Sequence, residues 1–67
     1  MPLFRQAIVL AAVRAAVAGS PAVPKAEFRH GLLTLTFAQG TPAQIATAVN
    51  SAIAVPEVVR LGVILGD

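Results

Sequence analysis

Lys25-Ala26-Glu27-Phe28-Arg29-His30-Gly31-Leu32-Leu33-Thr34-Leu35-Thr36-Phe37 is the stretch whose reading decides the fold. Residues 25–29 alternate polar and apolar, and residues 33–37 alternate apolar and polar, the period-two pattern of half-buried strands. His30-Gly31 between them reads as a two-residue hairpin turn, which needs left-handed backbone and therefore favours glycine. Closing the hairpin there sets Phe28 opposite Leu33 and Ala26 opposite Leu35 on one face. Glu27 then opposes Thr34, and Lys25 opposes Thr36, on the other. A one-residue slip would mix the two faces, so the side chains themselves specify the register. Arg29 against Leu32, next to the turn, is the one poor pair.

Working outward, Pro2 to Ala18 is rich in Ala, Leu, Ile and Val and reads as a helix. Phe4, Ile8, Ala11, Ala12 and Ala15 lie on one face, and Leu10, Val13 and Val17 form a second apolar stripe. Arg5 and Arg14 are nine positions apart and fall on opposite sides, about 180° around a 3.6-residue helix. A helix apolar nearly all round is normally covered all round, so a second surface from another chain is expected. Gly19 and Pro21 end the helix, and Pro24 biases Val23 towards extended backbone. After the hairpin, Thr41-Pro42-Ala43-Gln44 carries a capping threonine, a proline suited to the first helical position and a T-x-x-Q capping box. Ile45, Ala48, Val49, Ala52 and Ile53 then make the apolar stripe of a second helix. Pro56 ends it. Val58 to Leu65 reads as a third strand with two mostly apolar faces, covered on both sides or paired at its edge with another chain.

The expected architecture is a single α+β domain over residues 1–67 in the order α-β-β-α-β. Its three-stranded sheet carries both helices on one face, as the right-handed crossover rule favours. The sequence leaves strand order open; the third strand beside the first is favoured, since that makes every neighbouring pair antiparallel.

Composition narrows the function. Of 67 residues, 57% are hydrophobic and 12% charged. A domain this small buries only about 60% of the surface its unfolded chain exposes, so it needs a polar skin that this chain is short of. The surplus apolar surface is expected to meet another subunit, a partner protein or lipid. The net charge is +2, the cations are scattered, and the only aromatics are three phenylalanines. Nucleic-acid binders cluster their cations and interleave aromatics, so nucleic acid is not an expected partner. There is no cysteine to form a disulfide or thiolate site. Arg5, the apolar run from Ala7 to Val13 and Ala16-Val17-Ala18 outline a secretory signal. Arg14 interrupts that run, so the segment is read as a structural helix, too short for the roughly 20 apolar residues of a membrane span. A cytoplasmic or virion-associated location is favoured, with export to the envelope as the alternative.

The element order and several short motifs resemble a BON domain, a small α/β module of bacterial envelope and osmotic-stress proteins. Gly31-Leu32-Leu33-Thr34-Leu35-Thr36 is similar to the family's central G-x-V-T-L-x pattern, with Phe37 where the family has its second glycine. Val55-Pro56-Glu57-Val58 is similar to its Val-Pro-Gly-Val turn, with Glu57 in place of the glycine. The resemblance spans residues 11–65. It implies a non-enzymatic binding role at phospholipid surfaces or in protein assemblies, and it transfers no catalytic residue.

The chemistry-bearing residues point the same way. His30 is the only histidine and reads as a turn residue. Glu27, Glu57 and Asp67, the only carboxylates, lie on separate elements, so neither a paired-carboxylate site nor a metal site is expected. Ser20 and Ser51 lack a partner base, and the glycines have no phosphate-binding spacing. No catalytic residue, cofactor, metal or small-molecule substrate is expected. Arg14 and Arg60 sit among apolar neighbours, either reaching an anionic group on a partner or lying along apolar surface with the head in water. The expected function is a structural or interaction module that forms a homo-oligomer or joins other protein subunits, such as a small virion capsid or tail component. The alternative is a peripheral membrane module. The candidate interface comprises Phe4, Ile8, Leu10, Val13, Arg14, Val17, Arg60, Gly62 and Ile64.

Overall fold

The structure, a computed structural model, describes residues 3–66, apart from the Leu3 side chain. Pro2, the expected helix start, and the Asp67 carboxylate lie outside the described residues. The order is α1 (Leu3–Val17), β1 (Lys25–Arg29), β2 (Leu32–Phe37), α2 (Pro42–Ile53) and β3 (Leu61–Leu65). This is an α+β fold with two helices and one three-stranded mixed sheet.

The hairpin has the register that its side chains specify: Lys25 pairs with Thr36, Ala26 with Leu35, Glu27 with Thr34, Phe28 with Leu33 and Arg29 with Leu32. His30 and Gly31 have φ of 52° and 78°. Left-handed backbone at both positions matches the right-handed twist of the two strands. Ala26, Leu33, Leu35 and Phe37 are buried on the face that meets the helices, with Phe28 partly buried beside them.

The place of the third strand differs from expectation. β3 lies beside β2, not β1, and runs parallel to it, from Leu33 opposite Leu61 to Phe37 opposite Leu65. The reason lies in which strand can sit at the centre. β2 carries three large apolar side chains towards the helices and buries all of them. β1 alternates with Lys25, Glu27 and Arg29, which an edge position leaves in water. β3 also begins at Leu61 rather than Val58. Pro56 and Glu57 fall in a turn in which the Val58 amide donates to the Val55 carbonyl at 3.0 Å.

α1 packs against α2 and β1. Among the described residues of α1, one stripe is buried: Val9, Val13 and Val17, spaced four apart. α2 starts with the complete capping box. The Gln44 amide donates to Thr41 Oγ1 at 3.2 Å, and the Thr41 amide donates to Gln44 Oε1 at 3.0 Å. Its buried contacts are Ala48 and Ala52, with Ile45 and Val49 packed against the core. Ile53, expected on that stripe, faces out. The connector before β1 closes on the loop after β2 at Gly40, where a Cβ would sit 2.9 Å from Ala22 Cβ. Only glycine permits that approach, and its φ of 140° is one that other residues rarely adopt.

Candidate interaction surface

The two edges of the sheet are built differently. In a hairpin with a two-residue turn, the residues flanking the turn exchange hydrogen bonds, so Arg29, Glu27 and Lys25 turn their backbone groups towards β2. The backbone groups of Ala26 and Phe28 therefore point outwards. The Ala26 carbonyl accepts from Arg14 Nη2 at 3.5 Å, so a cation of α1 reaches across this edge. Along the same strand, Glu27 lies 3.8 Å from Lys25 Nζ and 3.5 Å from Arg29 Nη2. These solvent-exposed ion pairs contribute little to stability, but they line the edge with charge.

β3 has none of this. The Leu33 amide donates to the Arg60 carbonyl at 3.0 Å, and the Gly66 amide donates to the Phe37 carbonyl at 2.8 Å. Even-numbered residues of β3 therefore turn their backbone groups towards β2. Leu61, Val63 and Leu65 turn theirs to the free edge. The side chains there are apolar: Val63 is 41% exposed and Leu65 67%, on the face that carries the helices, and Ile64 is exposed on the opposite face. Val59, just before the strand, is also exposed. β3 thus presents an uncharged row of free N–H and C=O groups flanked by exposed aliphatic side chains, the combination that other sheet edges are built to avoid.

The candidate interface residues separate into three groups. Val13 and Val17 are fully buried in the chain's own core, so neither is available to a partner, and Leu10 is partly buried against it. Arg14 is exposed, and its Nη2 donates to the Ala26 carbonyl at 3.5 Å. Phe4 and Ile8 lie at the surface of α1, Phe4 at 79% exposure, while Arg60 and Ile64 are exposed and Gly62 half-buried at β3. The surface does not gather around the first helix. Among the described residues, four of the eight large exposed hydrophobics, Val59, Val63, Ile64 and Leu65, belong to β3 and its approach. Sequence reasoning missed Val63 and Leu65 because they share a face with the core residues of β2. Their exposure follows from the edge position of β3, although the lack of charge from Leu61 to Gly66 was visible.

The remaining polar groups are dispersed. His30 occupies the hairpin turn, Glu27 the open sheet face and Glu57 the turn after α2. Among the described residues, no group of three His, Asp or Glu side chains is placed to hold a metal ion. A cleft between residues 21–23 and 38–41 also touches Gln44 and is lined by no charged side chain. Among the described residues no helix is long and apolar enough to cross a membrane. Comparison with known proteins finds no matching family model, no matching curated protein and no matching solved structure.

Proposed function

We propose that this protein is a structural module that works by self-association, alone or within a larger protein assembly, rather than an enzyme. The observation that carries this reading is the contrast between its sheet edges. One is crossed by Arg14 and lined with charge; the other is apolar and open. Unpaired strand edges are strong templates for pairing with another chain, and a small soluble domain that leaves one bare has a use for it. The test is mass in solution by light scattering over a concentration series. A discrete oligomer is expected at micromolar concentration, and a monomer throughout would overturn the reading.

A second reading, a module docking on phospholipid surfaces as the BON resemblance implies, is favoured by Phe4 and Ile8. They stand exposed one helical turn apart, next to the exposed Arg5. Co-sedimentation with anionic vesicles at low salt tests it, and failure to bind removes it.

A further inference from the structure

We infer that the partner at the free edge is a second copy of this chain. It pairs β3 with β3 in antiparallel fashion about a two-fold axis through Val63, giving a continuous six-stranded sheet. The inference rests on the self-association reading and adds the interface and its register. Leu61, Val63 and Leu65 are the residues whose backbone groups face outwards. An antiparallel pair exchanges hydrogen bonds between directly opposed residues of that kind. Centring the pair on Val63 sets Val63 against its own copy and Leu61 against Leu65. All three outward N–H groups and all three outward C=O groups of each chain then find partners. Centring on Gly62 or Ile64 strands one of the three residues.

The side chains fit the same register. On the helix-bearing face, Val63 meets Val63 and the half-buried Leu61 meets the exposed Leu65, so the core row continues across the interface. On the open face, Ile64 falls opposite Gly62. A Cβ at Gly62 would meet nothing closer than Leu32 Cδ2 at 4.0 Å, which leaves room for the incoming isoleucine. The two-fold keeps both pairs of helices on one side of the sheet. α2 contains no charged residue and presents an exposed Ile53. Its Thr47 and Ser51 hydroxyls already donate to the Ala43 and Thr47 carbonyls at 3.0 and 3.1 Å, so neither needs water as an acceptor.

Charge selects the direction. In antiparallel pairing the two Arg60 residues lie at opposite ends, about 20 Å apart at roughly 3.4 Å per residue, beyond the screening length of about 8 Å at physiological salt. In-register parallel pairing would set Arg60 beside Arg60, and its two-fold would send the two sets of helices to opposite faces.

The chain contains no cysteine, so a single introduced thiol reports on one contact. Val63→Cys under mild oxidation should give a covalent dimer, because opposed Cα atoms of a hydrogen-bonded antiparallel pair lie about 5.5 Å apart, inside the disulfide range. Phe4→Cys, on the outer face of α1, should not. Val63→Pro removes an amide that faces solvent in the single chain but bonds its partner in the pair. It should raise the dimer dissociation constant at least tenfold with the circular dichroism of the fold retained. If Val63→Pro unfolds, the thiol trap decides alone. An oligomer that traps through Phe4→Cys and not through Val63→Cys overturns the edge pairing and leaves self-association standing. A monomer at every concentration overturns both.

Discussion

The guanidinium of Arg14 donates to the backbone carbonyl of Ala26 at 3.5 Å, placing a cation of α1 across the outer edge of β1. The bond is long and only partly buried, so its contribution to folding is small. Its effect is to occupy an acceptor that an incoming strand would use. Arg14→Ala should therefore lower stability by less than about 1 kcal/mol while opening a second pairing edge. The expected outcome is growth from a discrete oligomer to larger species in light scattering. An unchanged mass distribution would show that the charges of β1 guard that edge without Arg14.

Leu35 is fully buried at the centre of the sheet, between Ala26 on β1 and Val63 on β3. Leu35→Ala should cost about 2–5 kcal/mol, from lost transfer energy and the cavity left behind. Against a total of about 5–15 kcal/mol for ordinary domains, that is a large share. Chemical denaturation should show a much lower midpoint or no folded baseline.

Thr41 and Gln44 satisfy each other's backbone amides at the start of α2. Thr41→Ala removes one of those bonds and should cost about 1 kcal/mol. Thr41→Ser keeps the acceptor and should stay close to the parent in thermal melts. Equal losses for both variants would mean that the threonine methyl, not the cap, carries the effect.

Gly31 completes the hairpin turn with φ of 78°, and nothing lies within 4 Å of where its Cβ would be. Gly31→Ala is therefore strained by backbone alone, by about 1–2 kcal/mol for a left-handed residue. The melting temperature should fall with the secondary structure intact. A neutral result would show that the turn relaxes to another type.

The hairpin was legible to the residue because its information is local. Two alternating segments and a two-residue turn leave one register that keeps Phe28, Ala26, Leu33 and Leu35 together. The start of α2 was equally legible, since a capping box is a contact between residues three apart. The phase of α1 was not. Ala, Val, Leu and Ile run nearly all round it, and nothing within the helix says that Val9 faces inwards and Ile8 outwards. Ile53 followed the helical period but lies at the last residue of α2 and faces out.

By itself, then, the sequence determined the α-β-β-α-β order, the hairpin register and the excess of apolar residues, because each depends on neighbours in the chain or on composition. Only the tertiary structure decided which strand lies at the centre, which stripe of α1 is covered and where the apolar excess emerges. Those depend on competition between surfaces distant in sequence. β2 has more to bury than β1, so it takes the middle; β3 is left at an edge, and Val63 and Leu65 come to the surface.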